Sequence, residues 1–448
     1  MQFVCMFFIE KKERLMATTS NGRPTRSSNV SSDRSSSVNG SRSGSGSRSG
    51  SANGSSANVN RSSGNRRKKK KGMRRRTKRL IVMLIFEILI IAGLVGVLYV
   101  HSKVSKISFD KIEAPIKINE GINEDVIEHT EDTYRTVALF GVDNRSNGNL
   151  DSGNSDVIII ASINENTKKV RLMSVYRDSS FDVDGNGMIR KANYAYAHGG
   201  PQDALAMLNR NLDLNIQDYV TVDFRALVDA VDAVGGIEMT LSGEEAMWAN
   251  QYMQEVAKVT KRSPDPIEPG THVLSGVQVT GFCRVRYAAG GDLRRAEVQR
   301  EAVTKLAEKA KHASIGELNA LIDAVFPEVA TSFSLAELMS LAADAASYEI
   351  EDTAGFPFSM YAKNLKGKYG WLDFPCDLEK NVSAMYYYLY DVEDYQVSKT
   401  VQNINDDIIN LSGVTADSAQ DFGYGTLDTK MEEWKTKRAL KALADQQK

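Results

Sequence analysis

From residue 134 onward, apolar positions recur in two rhythms. Residues 136–143 (TVALFGVD), 156–163 (DVIIIASI) and 169–178 (KVRLMSVYRD) are short apolar runs bounded by polar or glycine-bearing stretches, which predicts buried strands. Residues 202–214 carry apolar positions at helical spacing. So do residues 225–236 (RALVDAVDAVGG), which end in a glycine stop. Strands are expected at 219–224 and 236–241, helices near 315–327 and 335–347, and a strand near 349–358; the aromatic run at 386–390 completes the same domain. Residues 282–287 (FCRVRY) alternate like a further strand, Gly290 and Gly291 break the chain, and Asp292 is placed to cap a helix running through Lys309. Strands interleaved with helices predict an α/β fold, or α+β, with a central mixed sheet flanked by helices.

The first hundred residues follow other rules. Residues 17–65 are Ser, Gly, Asn and Arg with almost nothing large and apolar, so the basic tail 1–79 is expected to be disordered and cytoplasmic. A second methionine, Met16, is a candidate start of translation. Residues 80–100 (LIVMLIFEILIIAGLVGVLYV) then give 21 almost wholly apolar positions, enough for one transmembrane helix, with Glu87 near its basic end. The run RRKKKKGMRRRTKR before it predicts a cytoplasmic N-terminus and an extracytoplasmic remainder. On this reading 101–133 is a stalk, 134–412 the main domain and 413–448 a C-terminal tail.

Charge sharpens the division. The net charge of -1 sums a tail with 20 Lys and Arg against 3 Asp and Glu and a remainder that therefore carries -18. An acidic domain is a poor partner for nucleic acid, whose phosphate backbone selects basic surfaces. Cys5, Cys283 and Cys376 match no metal spacing; Cys283 and Cys376 either pair or are small buried apolar residues.

Against that background, five arginines in residues 282–300 stand out. As a strand, 282–287 would project Arg284 and Arg286 from one face; on the helix after the glycines, Asp292, Arg295 and Gln299 share one side. Guanidinium forks suit bidentate phosphate binding, although surface ion pairs use the same residues. Asp143 and Asp156 sit at two strand ends, with Arg145 and Arg177 beside them. Either these aspartates cap turns, or they converge where Mg²⁺ or Mn²⁺ would bind.

In order, GVDNR (141–145), SD (155–156), YRD (176–178), KANYAYAHGG (191–200), residues 219–239, GTHVLSGVQ (270–278), RVRY (284–287) and GDLRRAEVQR (291–300) resemble the motifs of the LytR-CpsA-Psr family, over a motif core of 134–310. The resemblance implies a membrane-anchored, metal-dependent phosphotransferase of a Gram-positive envelope. It would move wall teichoic acid, capsule or a similar polymer from a polyprenyl pyrophosphate carrier to peptidoglycan. It also implies that Asp143 and Asp156 hold the metal. Arg145, Arg177, Lys191, Arg284, Arg286, Arg295 and Gln299 would bind the pyrophosphate, with Asp143, Arg177, Arg286 and Asp292 as the catalytic set. Many relatives have an arginine where this chain has Asn154. A pyrophosphate hydrolase and a non-catalytic, lipid- or wall-binding envelope regulator are the alternatives. Walker, nucleophile-elbow and zinc-protease motifs are missing from the sequence.

Overall fold

The computed structural model describes residues 83, 87, 90, 91, 94–96, 98–110, 112, 114–142, 150 and 153–446. Asp143 and Arg145 fall outside the described residues, as does the tail 1–79. So does much of the span 80–100, whose described positions are helical; among the described residues no helix is long and apolar enough to cross a membrane. From Leu98 onward the described residues belong to one unit.

It is built on a mixed sheet whose strands lie side by side in the order Ser108–Phe109, Val329–Thr331, Asp218–Asp223, Tyr134–Val142, Ser155–Asn164, Lys169–Val175 and Glu349–Phe356. Chain order gives β1 Ser108–Phe109, α1 Glu124–Thr133, β2 Tyr134–Val142, β3 Ser155–Asn164 and β4 Lys169–Val175. The hairpin β5 Ser180–Asp182 and β6 Ile189–Lys191 leads into α2 Asn193–Leu212 and β7 Asp218–Asp223. A helical layer follows: α3 Phe224–Ala233, β8 Ile237–Leu241, α4 Gly243–Thr260, β9 Gly270–Leu274, α5 Gly276–Phe282 and α6 Gly291–His312. After α7 Ile315–Val325, β10 Val329–Thr331, α8 Leu335–Asp344 and β11 Glu349–Phe356, the hairpin β12 Met360–Asn364 and β13 Trp371–Pro375 precedes α9 Leu378–Tyr390, α10 Lys399–Ser412 and α11 Leu427–Gln446.

Successive strand residues face opposite ways, so each strand serves two layers. Ala138, Phe140, Val142, Ile158, Ile160 and Met173 pack in the main core with Leu205 and Leu208 of α2 and the aromatic run of α9. Leu139, Val157, Ile159 and Ile163 face the other way and meet Val303 of α6. On that side α3, α4 and α5 enclose a second core around Val228, Met253 and Phe282.

Three expectations change. Residues 283–290 are not a strand: Phe282 ends α5, and the alternation after it is a turn connecting two helices. The segment 101–133 is no free stalk, since it supplies β1 and α1 and packs Ile116, Ile122 and Val126 against the main core. The end of the chain is also docked, with Trp434 of α11 buried against Phe358 and Tyr388. Cys283 and Cys376 are both free and buried.

Candidate active site

The start of β3, the exit of β4 and the start of α6 converge at one end of the sheet. Register pairs Gly141 with Val157 and Val142 with Ser155, which leaves Asp156 as the extra residue of a β-bulge; bulges commonly re-aim a side chain beside a functional site. Asp143 follows directly on Val142. Arg177 emerges two residues beyond β4, while α6 begins at Gly291; its N-cap is Gly290, so Asp292, expected to cap the helix, lies in the first turn two residues inside the cap.

These residues form a linked ion-pair array. The Arg177 Nη1 donates to Asp156 Oδ1 at 2.7 Å, and its Nε lies 3.6 Å from Asp178 and 3.7 Å from Asp292. Arg286 reaches Asp156 Oδ2 at 3.5 Å and Asp292 Oδ1 at 4.0 Å. Arg295, one turn into α6 as its spacing requires, donates to Asp292 Oδ2 at 2.6 Å. Lys191 joins through Asp178 at 2.7 Å. Arg284 points elsewhere, toward Glu255 at 3.3 Å and the Tyr252 ring, so Arg284 and Arg286 share no strand face. Gln299 is turned back on the connecting turn and donates to the Cys283 carbonyl at 3.0 Å.

Burial makes the array expensive. Arg295 is only 3% exposed, and desolvation first, then repulsion from Arg177 and Arg286, pulls its pKa down to about 10 despite Asp292. Burial also works against the charge of Arg177, yet Asp156, Asp292 and Asp178 outweigh it and its pKa rises. The Nε atoms of Arg177 and Arg295 are buried with no hydrogen-bond acceptor among the described residues, a cost that an incoming anion would relieve.

Behind the array lies an apolar cavity of about 570 Å³. The sheet lines it with Leu139, Gly141, Val157, Ile159, Val220 and Val222, and Leu227, Tyr252 and Val303 of the helical layer close it; Asp156, Arg284, Arg286, Arg295 and Gln299 stand along its polar rim. Helix α3 contributes to its wall through Phe224 and Leu227, whereas α2 lies under the opposite face of the sheet, in the main core.

Asp373 of β13 is a neighbour that the sequence did not point to. Its backbone N–H donates to the Asp178 carbonyl at 2.9 Å, and its carboxyl is pushed up to about 7, by burial first and then by Asp178 and Asp292. It stands 81 positions after Asp292, between buried Leu372 and Phe374, where alternation reads as an ordinary outward strand position.

The LytR_cpsA_psr family model matches residues 97–403. The chain is 29% identical over 211 residues to the polyisoprenyl-teichoic acid–peptidoglycan teichoic acid transferase TagU of Enterococcus faecalis, covering 47% of this chain and 65% of that protein. It is 33% identical over 198 residues to biofilm regulatory protein A of Streptococcus mutans, covering 42% of this chain and 47% of that one. The chain thus spans less than two thirds of the length of either relative. A solved protein of Streptococcus agalactiae superposes with a TM-score of 0.51 and 28% identity, over 61% of this chain and 92% of its own.

Proposed function

The chain belongs to the LytR_cpsA_psr family, and from that premise we propose that it is a membrane-anchored phosphotransferase. It would move an anionic glycopolymer, such as wall teichoic acid or capsule, from a polyprenyl pyrophosphate carrier to peptidoglycan. One observation carries the reading: an apolar cavity opens onto buried, incompletely satisfied guanidinium groups. Few ligands join a long hydrocarbon to a compact polyanion, and prenyl pyrophosphates are among them. The apolar walls would hold the prenyl chain, and Arg177, Arg286 and Arg295 the pyrophosphate. Lys191 would act through Asp178, and Arg284 and Gln299 from the cavity rim.

The residues present suit a divalent ion of one kind. Among the described residues no three acidic, histidine or cysteine side chains are placed to hold a metal ion by themselves. An ion held by Asp143 and Asp156 would therefore take its other ligands from phosphate oxygens and water, which is how magnesium usually binds, with manganese as the alternative. When bound it would neutralise charge on the pyrophosphate.

The rest is positioning. Arginines fixed by Asp156 and Asp292 would hold the sugar-side phosphorus in line with a hydroxyl of the peptidoglycan acceptor; the new P–O bond forms as the bond to prenyl phosphate breaks. The apolar span 80–100 with its basic flank supports anchoring, with the domain outside the cytoplasmic membrane. The relative named a biofilm regulatory protein supports a second reading, an envelope regulator, and water in place of the acceptor would give a hydrolase.

The test is transfer of a lipid-linked glycan to peptidoglycan fragments by the full chain, with and without Mg²⁺. We expect metal-dependent transfer that Arg286→Ala reduces about 10²-fold or more. An Arg286→Ala variant as active as the parent would remove the arginines from the reaction.

A further inference from the structure

Transfer to a hydroxyl releases a proton, and most carboxylates of the array are already engaged. Asp156 accepts from Arg177 and lies against Arg286; Asp178 is held by Lys191 and Arg177; Asp292 is held by Arg295, Arg177 and Arg286. For any of these to take a proton, a charge-assisted bond must first be loosened.

Asp373 differs. Among the described residues, no ion pair and no side-chain hydrogen bond engages its carboxylate, although Asp178, Asp292, Lys191 and Arg177 act on it electrostatically and the buried Tyr176 phenol feels its charge. Strand β13 bridges to Ser179, which fixes Asp373 beside the YRD segment that carries Arg177 and Asp178. Trp371, two residues earlier and so on the same strand face, is 61% exposed, so solvent reaches that face one position along from Asp373.

We propose that Asp373 is the general base of the transfer, taking the proton of the attacking hydroxyl directly or through one water. The inference rests on the phosphotransferase reading. In the step, the acceptor oxygen bonds to the sugar-side phosphorus and its proton passes to the Asp373 carboxylate. The electron pair of the breaking P–O bond leaves with prenyl phosphate. A carboxyl raised to about 7 suits this task, because a base that titrates near working pH combines availability with proton affinity.

The experiment compares the full chain with its Asp373→Asn and Asp373→Glu variants. Single-turnover transfer from a polyprenyl-pyrophosphate-linked disaccharide to a peptidoglycan fragment is followed across neutral pH, and donor binding is measured separately without acceptor. The parent rate should fall as pH drops through about 7. Asp373→Asn should lose about 10²–10⁴-fold in rate together with that acid limb, while binding the donor normally, and Asp373→Glu should recover part of the rate with a displaced limb. An Asp373→Asn variant that keeps the parent rate or limb overturns the assignment and leaves the phosphotransferase reading intact. So does loss of donor binding in both variants, which would make the residue structural. Absence of transfer by the parent would overturn both.

Discussion

Replacing Arg295 with methionine should separate what the site does for folding from what it does for binding. The guanidinium is 3% exposed, and its pKa of about 10 against an ordinary 12.5 means that the folded state disfavours its charge. At about 1.4 kcal/mol per unit this is a cost of about 3 kcal/mol. For a base whose folded pKa is depressed, the cost is fully present at neutral pH and fades only as pH climbs from about 10 toward the unfolded value. Removing one member of a buried pair is usually harmful because the other is stranded. Here Asp292 keeps Arg177 at 3.7 Å and Arg286 at 4.0 Å, so it is not stranded. Methionine keeps the length and apolar stem of the side chain. Arg295→Met should therefore be neutral in stability or gain about 1–3 kcal/mol in urea denaturation at pH 7, allowing for the lost bond to Asp292. Calorimetric titration with a polyprenyl pyrophosphate should show affinity lower by about 10- to 100-fold, the worth of one hydrogen bond to a charged group. A variant destabilised by more than about 1 kcal/mol with unchanged affinity would refute the reasoning and make the arginine a strut.

Val303→Trp, at the wall of the cavity away from the arginines, should weaken binding of long-chain prenyl pyrophosphates while sparing a short-chain one, as read by competition with a fluorescent lipid. Equal loss for both would place the chain elsewhere. The raised carboxyl of Asp373 also predicts a pH effect on folding: with a folded pKa of about 7 against 3.8 unfolded, its contribution is favourable below the lower value and is lost as pH rises between the two. By that linkage the loss approaches about 4 kcal/mol. Asp373→Asn should therefore melt higher than the parent at alkaline pH, and a lower melting temperature there would count against the burial of this charge.

The sheet was legible in the sequence because β2, β3 and β4 are buried on both faces and read as almost unbroken apolar runs, a pattern that needs no tertiary knowledge. The pairing of Asp292 with Arg295 was legible too, since helical spacing alone places them together. The turn at 283–290 was misread for a local reason. Six alternating residues are too few to tell a strand from the exit of a short helix. The better signal lay upstream, in Ser275 and Gln278, which form a capping box that starts α5 and so commits Phe282 to its last turn. Asp373 carried no such signal, because its meaning comes from a hairpin that returns to the YRD segment across nearly two hundred residues.

The two faces of the sheet explain why charge and grease meet at one place. On the main-core face, the Phe140 ring packs tilted against Tyr196 of α2 and Tyr219 of β7 and fills the space between sheet and helices. The alternate positions on the same strands hold Gly141, Val157, Val220 and Val222, small side chains that line a cavity between the sheet and the helical layer. Gly141 has no spare room along the sheet, where an added Cβ would come within 2.8 Å of the Val157 Cβ. The bulge beside it turns Asp156 toward Arg177 and Arg286. A change of one residue in register thus separates the apolar wall from the polar rim. Any ligand filling the cavity to that rim must itself change from hydrocarbon to anion over the same distance.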